Sequence, residues 1–219
     1  LITPGNSYIY PNEYFMAGVS ALNGFSFFGN YVSGIIYNLE LIKNTDLLNI
    51  LDKNITLHKA YPHMYFDLLV ASLFDIILTS KTAVIERHAE QTLIENTTSN
   101  VSSAHLGLYG YPERINQFLA FRDAIQQSVE LAGLKTDGEK INLFINLFFK
   151  LVYKYFFLIF EANINNYTSN YMEKTLLMES FFYLISSSVV EHPYIGSNQA
   201  IVTDYLIKIY QEHKERLLN

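Results

Sequence analysis

The chain has 219 residues, of which 50% are hydrophobic and 15% aromatic, and its formal net charge is -6. This apolar content excludes intrinsic disorder, because enough surface can be buried to offset the ordering entropy. The length suits one compact unit, so we expect a single domain over residues 1–219. The acidic balance argues against a nucleic-acid partner, since the 15 Lys and Arg residues are scattered along the chain.

The chain contains no cysteine. This excludes disulfide scaffolds, thiolate metal sites and cysteine nucleophiles. No stretch resembles a charged segment followed by an apolar signal sequence, so we expect a cytoplasmic protein.

One uncharged stretch, from Phe15 to Leu39, is long enough to cross a bilayer. It contains Asn23, Asn30 and Asn38, each of which would need a hydrogen-bond partner inside the hydrocarbon. We therefore expect a soluble protein with a large apolar core and no membrane span.

Helical patterns dominate the first half of the chain, because proline and glycine are few. Pro62 suits the first position of a helix, where its missing N–H costs nothing. The predicted helices are Pro11 to Ile42, with breaks near Gly24 or Gly29, then Thr45 to Asp52, Pro62 to Leu78, and Lys81 to Glu95.

The second half of the chain contains the clearest helical periodicity. After Pro112, apolar residues recur every three or four positions, and Gly133 is placed to end the helix. These apolar residues are Ile115, Phe118, Phe121, Ile125, Val129 and Ala132.

Capping patterns mark the remaining helices. Thr136 and Glu139 form a capping box before a core helix from Ile141 to Phe160, whose Lys150 and Lys154 predict a solvent-facing edge. Asn170 with Glu173 repeats the pattern for a helix that ends at Val190. Ser197 is the expected cap of a last helix, which ends near Leu217.

These patterns predict an all-α fold, a compact bundle of seven or eight helices around an aromatic-rich core. Strand patterns are weak throughout the sequence. The aromatic residues either fill the core or line a pocket for an apolar ligand, and the sequence leaves both alternatives open. They are Tyr153, Tyr155, Phe156, Phe157 and Phe160 on one helix and Phe181, Phe182 and Tyr183 on another.

No motif in the sequence predicts a catalytic residue or a metal ligand. The six histidines lack ligand spacing, and Glu86 and Glu90 beside Arg87 read as an ordinary surface pair on a helix. Nucleophile and phosphate-binding motifs are missing as well. An enzyme whose site converges from distant segments stays an open alternative.

A segment beginning at Ser103-Ala104-His105-Leu106 continues through Pro112 and an amphipathic helix to a long apolar helix ending at Phe160-Glu161-Ala162. It resembles the proximal half of a sensor globin. The resemblance implies that His105 is the cofactor-binding residue, as proximal ligand of a haem iron, or that an apolar molecule takes the place of haem. It also implies that the two helices form a homodimer interface. The distal helix of that family is not recognisable in this chain.

Our leading hypothesis is a non-enzymatic regulatory or interaction protein, for which we expect no cofactor. It binds a protein partner or a small apolar molecule, and the acidic charge favours a basic partner, as in an inhibitor or immunity-type protein. A globin-like sensor of haem or of an apolar ligand is the alternative from another class.

Overall fold

The structure is a computed structural model that describes residues 12–27, 36–54, 62–79, 111–155, 170–190 and 192–218. The predicted all-α class is confirmed: eight α-helices and one two-stranded sheet lie in these residues. The chain divides into two compact units, Leu1–Arg114 and Ile115–Asn219. The expected single domain over residues 1–219 stays a prediction.

The first unit is built around one buried helix. In chain order it contains β1 (Glu13–Phe15), α1 (Val19–Phe25), α2 (Leu39–Lys43), α3 (Leu47–Asn54), α4 (Pro62–Leu73) and β2 (Ile76–Leu78). The side chains from Met64 to Ser72 of α4 are buried, and α1 and α3 pack against this helix. β1 and β2 pair antiparallel, with Tyr14 opposite Ile77.

Glycine allows two close contacts in the first unit. Gly18 has φ +79°, and its N–H donates to the carbonyl oxygen of Ala71 at 3.0 Å, which ties the start of α1 to α4. A Cβ atom at Gly24 would lie 2.2 Å from Cε1 of Phe15, so the Phe15 ring covers α1 at this point.

The structure corrects the predicted elements of the first unit. The helical stretch predicted from Pro11 to Ile42 is wrong at its start, because Glu13–Phe15 is a strand and α1 begins only at Val19. The break predicted near Gly24 is confirmed, since α1 ends at Phe25, and Gly29 lies outside the described residues. The helix predicted from Pro62 to Leu78 begins correctly but ends at Leu73. Its last residues form β2, since pairing with β1 satisfies their backbone groups. The helix predicted from Lys81 to Glu95 lies outside the described residues.

No helix in the described part of the chain is both long enough and apolar enough to cross a membrane. The described part of the uncharged stretch from Phe15 to Leu39 forms a strand end, the short helix α1 and the start of α2.

The second unit consists of long helices with capped ends. They are α5 (Tyr111–Leu131, in this unit from Ile115 onward), α6 (Asp137–Tyr153), α7 (Tyr171–Val190) and α8 (Gln199–Leu218). The predicted capping box is confirmed by two reciprocal hydrogen bonds. Oγ1 of Thr136 accepts from the Glu139 N–H at 3.3 Å, and a Glu139 carboxylate oxygen accepts from the Thr136 N–H at 3.1 Å. Gly133, with φ +70°, follows α5 as predicted. The expected cap at Ser197 is wrong, because Ser197 lies inside a 3₁₀ turn, Gly196–Asn198, and α8 begins only at Gln199.

An aromatic cluster forms the core of the second unit. The ring of Phe118 on α5 meets Phe148 at 5.9 Å, Tyr155 at 6.0 Å and Phe181 at 6.1 Å between centroids. These edge-on contacts stabilise beyond the area that they bury. Tyr155 and Phe181 therefore fill the core, which is one of the two predicted roles. A core position is wrong for Tyr153 and Tyr183, because both side chains are exposed. Phe156, Phe157 and Phe160 lie outside the described residues.

Lys154 also differs from its prediction as a solvent-facing residue. Only 6% of it is exposed, and it lies at a π-helical turn that follows α6. Burial lowers the pKa of its amine to about 8, because the charged form loses its hydration. Lys150 is half-buried, so the predicted polar edge of α6 is mostly covered.

Candidate partner-binding surface

Most of the histidines and carboxylates that the sequence singles out lie outside the part of the chain that the structure describes. His105 lies outside the described residues, so the haem or apolar-ligand site on it stays a prediction. His58, His88, Glu86 and Glu90 also lie outside. Within the described ranges, no group of three His, Asp or Glu side chains is arranged to hold a metal ion.

The outer face of α7 instead carries large apolar side chains. Met172 is 73% exposed, Leu176 is 62% exposed and Tyr183 is 71% exposed. At about 100° of rotation per residue, these three lie within about 40° of one another around the helix axis. They form one stripe, called here the α7 stripe, which extends over about three turns. Large exposed apolar side chains aligned along one face of a helix are typical of interaction sites in soluble proteins.

The inner face of α7 explains why this helix holds a fixed position. Met178, Phe181 and Ile185 are buried on the opposite side of the helix from the α7 stripe. Phe181 joins the aromatic cluster, and Phe182 packs against Tyr210 of α8 with ring centroids 4.6 Å apart. The α7 stripe is therefore presented by a helix that is anchored along its length.

Polar contacts fix both ends of α7. The Asn170 side chain is the predicted N-cap, and its Oδ1 accepts from the N–H groups of Met172 at 2.9 Å and Glu173 at 3.3 Å. Near the other end, an Arg122 guanidinium nitrogen donates to the carbonyl oxygen of Ser188 at 3.2 Å. The positive charge of Arg122 also interacts favourably with the negative end of the helix dipole.

His192 fixes the chain that leaves α7. Its Nδ1 accepts from the Tyr194 N–H at 3.3 Å, so Nε2 carries the proton and donates to Gln126 at 3.1 Å. The imidazole stacks on Phe144 at 4.3 Å between ring centroids. Burial, together with the nearby positive charge of Arg122, lowers the pKa of His192 to about 4. The ring therefore stays neutral near pH 7 and serves as a structural anchor.

Of the three charged side chains on α7, Glu173 and Glu179 are exposed, whereas Lys174 is half-buried. Glu173 lies near its first turn and Glu179 near its centre. Glu179 accepts from the Tyr210 hydroxyl at 3.4 Å and lies 3.7 Å from Nζ of Lys214, which sits over the Tyr210 ring. The α7 stripe is thus an apolar surface with negative charge.

A second polar feature lies in the first unit, where the carboxylate of Asp67 is buried within α4. The hydroxyl of Tyr37 donates to it at 2.5 Å, and the Tyr37 ring meets Phe66 edge-on at 5.2 Å. Burial raises the pKa of Asp67 to about 6, although the Tyr37 hydrogen bond acts in the opposite direction. The same burial raises the pKa of Tyr37.

Sequence reasoning missed the α7 stripe because it considered only Phe181, Phe182 and Tyr183 of this helix, as residues of a core or of an apolar pocket. A helical projection from the Asn170 cap separates two sets of large apolar side chains on opposite faces. The first set is Met172, Leu176 and Tyr183, and the second is Met178, Phe181 and Ile185. Two opposed stripes on one helix are the pattern that predicts a second binding face.

No protein-family model, curated protein or solved structure matches this chain.

Proposed function

We propose that the chain is an interaction protein that binds a protein partner through the α7 stripe. The observation that carries this proposal is the exposure of Met172, Leu176 and Tyr183 along one line of an anchored helix. Leaving three large apolar side chains in water is unfavourable, and a partner that covers them gains about 25 cal/mol for each Å² of apolar surface buried.

The partner that fits this surface is a basic amphipathic helix. A single stripe about three turns long matches the footprint of one helix packed along another. The acidic residues Glu173 and Glu179 favour lysine or arginine around the partner's apolar side chains. The partner is thus basic, in line with the acidic charge of the chain.

Selection from a displayed library of random helical peptides tests the proposal without assuming the partner's sequence. The full chain is the target, and the expected ligands are basic peptides with apolar residues at spacings of three and four. Leu176→Ser and Tyr183→Ser should each weaken their binding by 10-fold or more, because interface energy is concentrated in a few buried side chains.

Ile201→Ser is the matched control variant. Ile201 is 61% exposed, much as Leu176 is, but it lies on α8 outside the α7 stripe. It should bind the selected peptides as tightly as the unsubstituted chain does. Equal losses in all three variants would indicate non-specific apolar adhesion and would overturn the proposal. Recovery of no ligand would overturn it as well, as would a concentration-dependent dimer that Leu176→Ser abolishes.

A further inference from the structure

Glu179 occupies a position inside the α7 stripe. Met172, Leu176, Glu179 and Tyr183 follow one another at spacings of four, three and four residues. This is the spacing at which side chains meet a second helix in a two-helix seam. Glu179 is therefore a charged residue at a position where packing against a partner helix would normally require an apolar one.

The carboxylate of Glu179 retains capacity for another donor. Its contacts to Tyr210 and Lys214, at 3.4 Å and 3.7 Å, are longer than the usual charge-assisted hydrogen bond of about 2.7–2.9 Å. Half of its side chain is exposed, and an ionised carboxylate can accept about four hydrogen bonds. When a partner helix covers the α7 stripe, this charge loses water and needs a cation in exchange.

We propose that Glu179 sets the register and identity of the partner by accepting a lysine or arginine side chain from the partner helix. The inference rests on the proposed function, and it adds the chemistry that one position of the partner must have. A single charged residue in an apolar seam fixes register because any shift leaves its charge without a counterpart.

The same geometry disfavours a second copy of this chain as the occupant. In a parallel pair of α7 helices, Glu179 would face Glu179 of the other copy. In an antiparallel pair about the middle of the α7 stripe, it would face Leu176. In neither arrangement is the facing α7 residue a cation, whereas a basic helix from another protein supplies one.

Lys214 is the internal competitor for this role. Its Nζ is the cation nearest to the Glu179 carboxylate among the ion pairs described, and 41% of its side chain is exposed. Because exposed ion pairs are weak, a partner cation in a desolvated seam displaces Lys214 readily. Removing the Lys214 charge should therefore strengthen binding of the correct partner.

The test measures dissociation constants of the library-selected peptides by fluorescence anisotropy at low and at high salt. Glu179→Gln keeps the shape and one acceptor of the side chain, and it should weaken binding about 10-fold at low salt and reduce the salt dependence. Lys214→Gln should tighten binding several-fold. Asp204→Asn, which removes an exposed acid of α8, is the control and should change nothing.

A charge reversal completes the design. Glu179→Lys should lose the selected peptides and regain those in which one specific lysine or arginine is replaced by glutamate. Unchanged binding by Glu179→Gln, together with loss of binding by Leu176→Ser, would refute the role of Glu179 and leave the proposed function standing. Unchanged binding by Leu176→Ser would refute the proposed function itself. Circular dichroism spectra of all variants establish that the helices are intact.

Discussion

Replacing Asp67 by asparagine should remove a pH dependence that the buried carboxylate gives to the first unit. The pKa of Asp67 is raised from 3.8 to about 6 in the folded chain, so the folded state binds this proton more tightly than the unfolded state does. Its contribution to stability is fully present below pH 3.8 and is lost as the pH rises through about 6. The pKa of Asp67 is raised because burial removes water from the charged carboxylate, an effect that the Tyr37 hydrogen bond partly opposes.

The size of the effect follows from the shift. A difference of about 2 pH units at 1.36 kcal/mol per unit corresponds to about 3 kcal/mol in the free energy of unfolding. Asp67→Asn carries no charge at any pH, so its stability relative to the unsubstituted chain should increase by about this amount between pH 4 and pH 7.

Urea unfolding followed by far-UV circular dichroism measures this difference, since the chain contains no tryptophan for fluorescence. Asp52→Asn is the control, because it makes the same chemical change at an exposed carboxylate on α3. Parallel pH profiles for Asp67→Asn and the unsubstituted chain would refute the reasoning.

Three further predictions test the local arguments. Because the folded chain holds His192 neutral, with its pKa lowered from 6.5 to about 4, the folded state loses stability as the pH falls from 6.5 towards 4. His192→Gln should lose less stability over that range. Equal losses of stability in calorimetry would contradict the anchor role. Thr136→Ala should lower the free energy of unfolding by about 0.5–2 kcal/mol through loss of the capping box, and Thr136→Ser should retain it. Gly24→Ala should lower the free energy of unfolding by about 1–3 kcal/mol, because the new Cβ displaces Phe15. Gly138→Ala, with no atom within 4 Å of the new Cβ, should not lower it. Equal melting temperatures for the two variants would argue against the Phe15 contact.

Sequence reasoning succeeded where the determinants are local. The capping box at Thr136, the cap at Asn170 and the proline that begins α4 each place a helix end from a few adjacent residues. The apolar periodicity after Pro112 likewise identified the buried face of α5. The helical class of the fold follows from such local patterns.

Sequence reasoning failed where distant residues decide the structure. β1 and β2 are joined by pairing between segments far apart in the chain, which no local pattern reveals. Lys154 lies at a π-helical turn, where the register differs from the 3.6-residue repeat that the spacing from Lys150 assumes. On α7 both faces are apolar, so packing against neighbouring helices decides that Phe181 is buried and Tyr183 exposed.

The central claim, that the α7 stripe binds a partner helix, is tested most directly by a methyl NMR titration of the full chain. Two methionines of α7 provide the probe and its control: Met172 lies on the α7 stripe, and Met178 is buried on the other face of the same helix.

A selected basic peptide should shift or broaden the methyl resonance of Met172 at the lowest concentrations, with a smaller effect on Met178. Saturated peptide binding that leaves the Met172 resonance unchanged would contradict the claim.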